Sequence, residues 1–175
     1  NCLTLLGDLY LFSNQYQRAM NYLEKASKIY DEINNLQGKC LVTGTFGNIY
    51  MNMGKTDKAI KAFQECLDIT RKIGNHFAEG RTLGNLGLLY YGMRNNPLAL
   101  EYCSKAISIA REIGDRQGEG NALSNASLVL HELGRHREAT TNAEAALQIY
   151  IAIEDPNAGK AKDILSNLRK YSASK

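Results

Sequence analysis

The stretch Leu83-Gly84-Asn85-Leu86-Gly87-Leu88-Leu89-Tyr90 decides the fold. Leu83, Leu86, Leu89 and Tyr90 fall at the three- and four-residue spacings of one helical face. The pattern recurs at a step of 40 residues, with no insertion or deletion. Gly7, Gly47 and Gly87 share a column, with Ser127 in the fourth place; so do Tyr10, Tyr50 and Tyr90, followed by Leu130. Ala19, Ala59, Ala99 and Ala139 form an unbroken series, as do Ile33, Ile73, Ile113 and Ile153. A fixed period of this length predicts a solenoid of stacked supersecondary units, not a globule closed around one core. A solenoid offers a long ordered surface and no enclosed cleft. The activity expected of it is binding.

Working outward, the unit around this stretch runs from about Phe77 to Gly114. Its first helix breaks at Arg94-Asn95-Asn96. Asn96 followed by Pro97 reads as the N-cap and first residue of a second helix. That helix places Ala99, Leu100, Cys103, Ala106, Ile107, Ala110 and Ile113 at helical spacing. Gly114 ends it as a residue that accepts positive φ, and Asp115 caps the next. Each unit then reads as a helix of about four turns, a short turn, and a helix of about five. Gly54-Lys55-Thr56 and Gly134-Arg135-His136 fill the inner turn of the second and fourth units. The boundaries fall near 1–36, 37–76, 77–116 and 117–155, within one domain of residues 1–175.

Asp155-Pro156 opens a last helix, near 156–172. It sets Ile164, Leu165 and Leu168 on one face and Lys160, Lys162, Arg169 and Lys170 on the other, as a terminal cap does. The tail Ser172-Ala173-Ser174-Lys175 is expected to fray. Gly7, Gly47 and Gly87 are expected to face Ala19, Ala59 and Ala99, so that paired helices approach closely. The Tyr10 column and Ile29, Ile69, Ile109 and Ile149 are expected to fill the gap to the neighbouring unit.

The chain has 175 residues, a formal charge of +3 and a hydrophobic fraction of 44%, which fits a packed chain. That charge is too weak, and too interleaved with Glu and Asp, to point to nucleic acid. No apolar run reaches the roughly 18 residues of a membrane span, and no signal-peptide pattern opens the chain. Asn1, already inside a helix and without an initiator Met, reads as the start of a piece of a longer protein. A cytoplasmic setting is expected.

Cys2, Cys40, Cys66 and Cys103 contain no C-x-x-C pair. Cys66 shares a column with Ala26, Ala106 and Ala146, and Cys103 with Leu23, Phe63 and Ala143. Both read as small buried hydrophobes in a reducing compartment. His76, His131 and His136 lack metal-ligand spacing, so neither metal nor cofactor is expected. Glu65 and Asp68 read as a solvated face. Gly54-Lys55-Thr56 spells the end of a phosphate loop, but Ile49 stands where its first Gly belongs. Asn125-Ala126-Ser127 spells a glycosylation acceptor inside a packed helix and is set aside.

The pattern Leu83-x-x-Leu86-Gly87-x-x-Tyr90, then Ala99 and Ala106, resembles the tetratricopeptide repeat. Leu3, Leu6, Gly7, Tyr10, Ala19 and Ala26 repeat it. The resemblance implies an all-α, right-handed α-solenoid of helix-turn-helix units with a C-terminal capping helix. The period is 40 where the common form has 34, and the proline that usually ends the second helix is absent. The extra length is expected in a longer second helix and in the linker Ile113 to Gly120. That linker, followed by Asn121-Ala122-Leu123-Ser124-Asn125, resembles the 40-residue subgroup of Pins/LGN-type polarity adaptors and of bacterial and archaeal tetratricopeptide proteins.

In such proteins the first helices line a concave groove that holds a peptide of a partner. Carried onto this chain, the groove positions are Thr45, Asn48, Met51 and Asn52, then Arg81, Asn85, Leu88 and Tyr91, then Asn121, Ser124, Asn125, Leu128 and His131. They lie off the Leu-Gly-Tyr face, and a core would not want their amides unpaired. Asn can pair with a peptide backbone of any sequence. Arg81 can hold a carboxylate through two parallel bonds, and Met51, Leu88, Tyr91 and Leu128 offer apolar contact. Asn85 and Asn125 could instead tie neighbouring units together, and Arg81 and His131 could simply be solvated.

The carboxylate clamp of chaperone-binding relatives needs lysines where Thr4, Gly44 and Gly84 stand, so it is not expected. The reading is a monomeric, non-catalytic scaffold for a protein or peptide, with no nucleic-acid or membrane partner. The alternatives are the sensor arm of a larger signalling ATPase or protease, and self-assembly through the repeat ends.

Overall fold

The structure is a computed structural model and describes residues 2–173. Among these it contains nine α-helices and no strand: α1 Cys2–Phe12, α2 Tyr16–Glu32, α3 Leu36–Asn52, α4 Thr56–Ile73, α5 His76–Gly92, α6 Asn96–Ile113, α7 Arg116–Glu132, α8 His136–Ala152 and α9 Asn157–Ala173. Beyond the first unit, with 11 residues in α1 and 17 in α2, the two helices of a unit differ by at most one residue, 17 and 18 in α3 and α4 and 17 each in α7 and α8. The expected four-and-five-turn asymmetry is therefore absent there. Arg116 to Gly120, read as linker, already belong to α7, and only Gly114 and Asp115 separate it from α6. Ser172 and Ala173 continue α9, while Ser174 and Lys175 of the tail expected to fray lie outside the described residues.

The turns explain the helix ends. One residue after each of the first eight helices takes a left-handed conformation: Asn14, Asn34, Arg94 and Glu154 at φ 56°, 52°, 61° and 53°, and Gly54, Gly74, Gly114 and Gly134 at 69°, 66°, 71° and 74°. The next backbone N–H then donates back across the helix end, as from Lys55 to the Tyr50 carbonyl at 2.8 Å and from Asp115 to that of Ala110 at 2.8 Å. This closure satisfies carbonyls that would otherwise lack a partner. The backbone turn thus recurs every 20 residues, inside units and between them.

The side chains break that half-period. Between units, Asn35, Asn75 and Asp115 accept from the backbone N–H of Gly38, Ala78 and Gly118 at 2.9, 3.0 and 2.8 Å, and Asp155 accepts from Asn157 at 2.7 Å. Inside units, Gln15, Lys55 and Arg135 make no side-chain cap. Asn95 reaches only to 3.4 Å from Leu98 N. The cap of α6 is therefore Asn95, one residue before the expected Asn96. Pro97 sits in the first turn, where its missing N–H costs nothing.

The described chain divides into two units, residues 1–82 and 83–175, and the division falls within α5. In the first, α1 packs on α2 and α3, α2 on α3, and α3 on α4. Ala19, Leu23, Ala26, Tyr30, Val42 and Ile49 form one core. A Cβ added to Gly7 would stand 2.7 Å from the Leu23 side chain, and one added to Gly47 would enter the Phe63 ring. These glycines make room for the Leu23 and Phe63 column, not for the expected alanines. Tyr10 stacks on Tyr22 of its own helix pair at 5.4 Å and packs against the core that includes Val42 and Ile49 of the next repeat. Ile69 is buried, but Ile29 is 39% exposed.

In the second unit, α6 packs on α7, α7 on α8, and α8 on α9. Here a Cβ on Gly87 would meet Cys103 Sγ at 2.6 Å and the Ala99 carbonyl oxygen at 3.3 Å, so the expected glycine–alanine approach is present through the backbone. Tyr90 stacks on Tyr102 at 5.4 Å, again within its own pair. Helix α9 buries Ala161, Leu165 and Leu168 and exposes Lys160, Lys162, Arg169 and Lys170, which matches the capping role. Ser127, of the glycosylation-like triplet, is fully buried within α7.

Candidate functional site

The expected groove residues meet different fates. In the first unit Thr45 is buried, its hydroxyl 3.0 Å from the Leu41 carbonyl and 3.2 Å from Asp8 Oδ1. It ties α3 to α1. Asn48 and Met51 are half-buried and Asn52 is exposed. Arg81 is exposed, with its guanidinium over the Phe77 ring at 5.8 Å. A cavity of about 470 Å³ in this unit is lined by Lys39, Phe46, Tyr50, Lys58, Lys61 and Glu65 among others, and by none of the expected residues.

In the second unit Asn85 and Tyr91 are half-buried and Leu88 is 38% exposed. Three expected residues of α7 come together. Asn121, Ser124 and Asn125 line a pocket of about 50 Å³ with Tyr150 of α8 and Asn157, Lys160 and Ala161 of α9. Leu128 and His131, farther along α7, do not line it. His131 instead lies with its Nδ1 3.2 Å from His136 Nδ1, a pairing made by the α7–α8 turn. Among the described residues no group of three or more His, Cys, Asp or Glu could hold a metal ion, and no helix is long and apolar enough to cross a membrane.

The pocket is built from local packing. Asp115 starts α7, and buried Glu119 in its first turn is held by Arg111 at 2.8 Å and Arg116 at 2.6 Å. A Cβ on Gly120 would be 3.0 Å from the Tyr150 ring, so the glycine admits that ring beside the helix. The Tyr150 hydroxyl then donates to Asn121 Oδ1 at 2.8 Å. Burial, and next the Asp155 charge, push this hydroxyl up to about 12, so it stays a donor at neutral pH. With its oxygen engaged, Asn121 keeps its amide hydrogens for a ligand. Asn125 and the Ser124 hydroxyl on the same helix, and Asn157 and the Lys160 ammonium on α9, add further donors to the lining. This lining favours a carbonyl or carboxylate oxygen. Liquid water occupies about 30 Å³ per molecule, so the pocket takes one chemical group of a ligand.

Tyr150, Asn157 and Lys160 were not among the expected residues. Lys160 occupies the column of Cys40, Gly80 and Gly120. That departure was the available signal, hidden by reading α9 only as a cap.

Paired antiparallel helices, a left-handed residue at every turn and a polar first-helix face define an all-α helical-repeat protein. Sequence models of the tetratricopeptide repeat match residues 40–102 and 82–152, and a further one matches residues 1–33. The chain belongs to the tetratricopeptide repeat family.

Among solved structures it is similar to the apo form of RapI, with a TM-score of 0.87 and 16% identity over 98% of this chain and 63% of that one. It is also similar to a signal-transduction ATPase (STAND) protein with a tetratricopeptide repeat sensor from Pyrococcus horikoshii. There the TM-score is 0.79 and the identity 23%, over 94% of this chain and 26% of that one. The first tetratricopeptide repeat domain of Spaghetti, bound to an HSP90 peptide, gives a TM-score of 0.62 and 22% identity over 77% and 94%. The chain thus spans less than two thirds of RapI and about a quarter of the ATPase. No curated protein sequence matches it.

Proposed function

We propose that the chain is a protein-interaction scaffold that takes a peptide segment of a partner on the polar face of its first helices. The observation that carries this reading is the convergence of Asn121, Ser124 and Asn125 with Asn157 and Lys160 around one pocket. Three amides allow pairing with a peptide backbone whatever its sequence, and Lys160 selects for an acidic side chain or a terminal carboxylate. Leu88 and Tyr91 of α5 offer apolar contact to a longer peptide. The similarity to a domain solved with an HSP90 peptide supports a peptide as the ligand class.

The test is a peptide selection against the whole 175-residue chain, followed by affinity measurement on Asn121→Ala/Asn125→Ala/Lys160→Gln. The selected peptide should bind at least about ten-fold more weakly, a loss of about 1.4 kcal/mol, with melting unchanged. Undiminished binding at unchanged melting rejects the reading. A fall in melting assigns the asparagines a structural role.

A second reading rests on the similarity to the sensor of the larger ATPase, of which this chain spans about a quarter. It makes the scaffold the ligand-sensing arm of a longer signalling protein. A parent gene without a nucleotide-binding domain rejects it.

A further inference from the structure

Cys40 on α3 and Cys66 on α4 are both in the first unit and have no part in the pocket of the second. Each is nearly inaccessible, 4% and 2% exposed, and their Sγ atoms are 3.5 Å apart. In the other helix pairs these two columns hold Gly80 and Gly120, and Ala26, Ala106 and Ala146; Lys160 of α9 is the exception in the first. The register is one of close helix approach, where small residues are the rule. Only here do both places carry a thiol. Cys66 Sγ also lies 3.4 Å from Thr82 Oγ1 and 3.5 Å from the Cys40 carbonyl oxygen.

We propose that Cys40 and Cys66 form an oxidation site, at which a peroxide converts the two thiols into a disulfide that staples α3 to α4. A disulfide needs its sulfurs at about 2.05 Å. The remaining gap, about 1.5 Å by the same geometry, is within reach of χ1 rotation between two helices already in contact.

The chemistry divides unequally between the two sulfurs. Hydrogen bonding with Cys40 first, then the Thr82 contact and the Arg81 charge, favour the Cys66 thiolate against the cost of burial. Cys40, its partner, is pushed up by the same contact and by burial, so the pair gives up its first proton at Cys66. Cys66 is therefore the attacking thiolate. It takes one peroxide oxygen, the O–O bond breaks, and water leaves with the released protons. Cys66 is then a sulfenic acid. The Cys40 sulfur, giving its proton to the departing hydroxide, attacks the Cys66 sulfur as the S–O bond breaks. Two thiols and one hydrogen peroxide yield one disulfide and two waters. Cys103, pushed up to about 12 by burial, remains a thiol.

The experiment uses the whole chain with exposed Cys2 changed to serine. It is treated with hydrogen peroxide, alkylated with N-ethylmaleimide in denaturant and digested for mass spectrometry. The expected product joins the Cys40 and Cys66 peptides with the loss of two hydrogens. It reverses with dithiothreitol, and Cys103 is fully alkylated. Full alkylation of Cys40 and Cys66 after the oxidant is consumed overturns the proposal, as does separate oxidation of each to sulfinic acid.

Without oxidant, the iodoacetamide rate at Cys66 should rise with pH and level off below the pH of an ordinary thiol, about 8.5. A rate that rises only near pH 9 overturns the assignment of Cys66 as the nucleophile. In Cys40→Ala, Cys66 should stop at a sulfenic acid that dimedone traps. Should that variant fail to fold, the cross-link and the pH profile of the unsubstituted pair still decide.

Discussion

In α3/α4 the residue packed against Gly47 is Phe63, whereas α7/α8 carry Ser127 and Ala143 at the same places. Both pairs are buried at this point, yet the first holds its bulk inside the hairpin and the second does not. In the second, Ala139 and Ala143 share a cluster with Leu165 and Leu168, so α9 fills what the hairpin leaves open. One repeat therefore prescribes a filled layer and leaves free which helix fills it. Helix α9 seats Leu165 and Leu168 here because the hairpin beneath it is under-filled.

The largest expected effects test that division. Phe63→Ala should cost about 3–5 kcal/mol, because nothing within the hairpin can replace the ring. Leu168→Ala should cost about 2–5 kcal/mol by the same reasoning on α9. Urea titrations of each variant measure both. An Ala143→Leu change that rescues Leu168→Ala would sharpen the contrast, since the lost bulk would then have moved into the hairpin. A Phe63→Ala variant that melts as the parent does would break it.

Next in size is the exchange of one solution for the other. Ala143→Phe alone should overpack α7/α8 and cost about 1–3 kcal/mol, with Ser127 in the ring's way. Adding Ser127→Gly rebuilds the Gly47–Phe63 arrangement. It should return part of the loss, though Leu165 and Leu168 still occupy the outer space. Additive losses in the double variant would show that the two columns do not meet in α7/α8.

Much of this architecture was legible because the columns record packing that every unit must repeat. Gly7, Gly47 and Gly87, Ala19 to Ala139 and Gly114 with Asp115 each carry a steric or capping reason visible in the residue itself. What they face was less legible. A glycine shows that something is close but not what: Leu23, Phe63 and Cys103 were the nearest partners, and the expected alanine came close only at Gly87, through the Ala99 carbonyl. The helix starts were misread where two asparagines adjoin, because Asn95 and Asn96 offer the same cap and only the backbone chooses.

The candidate site was legible on α7, where Asn121, Ser124 and Asn125 stand at the groove positions that the resemblance implies. It was illegible on α8 and α9, because no spacing within α7 announces Tyr150 or Lys160. Cys40 and Cys66 were hidden in the same way. Each occupies a small-residue column on its own, and only the α3–α4 crossing joins them.

The same contrast runs through the helix starts, at smaller magnitude. Asp115 caps α7 through its side chain, while Arg135 begins α8 with no such bond. Asp115→Ala should cost about 1 kcal/mol. Arg135→Ala should leave the melting temperature essentially unchanged, since the ion pair that it loses, to Glu138, is exposed and screened by water. Equal effects at the two starts would mean that the backbone closure, common to both turns, carries the helix ends alone.

The smallest expected effect concerns the far ends of the two hairpins. α3/α4 ends at Gly74 with φ 66°, and α7/α8 ends at Glu154 with φ 53°. The conformation is shared, but a side chain there crowds its own carbonyl at about 1–2 kcal/mol. Glycine removes that strain and adds about 0.4–1 kcal/mol of unfolded-chain entropy. Glu154→Gly should therefore stabilise the chain by the difference, about 0.5–1 kcal/mol. Gly74→Ala should destabilise it by a similar amount. Arg94, at φ 61°, is the less clean site because it also pairs with Glu132 at 3.2 Å. A rise in melting temperature for Glu154→Gly with a fall for Gly74→Ala confirms that the turns are equivalent beneath their different side chains. A fall for both means that Glu154 holds the entry to α9 by its side chain, and that the end beside the cap is built differently from the other.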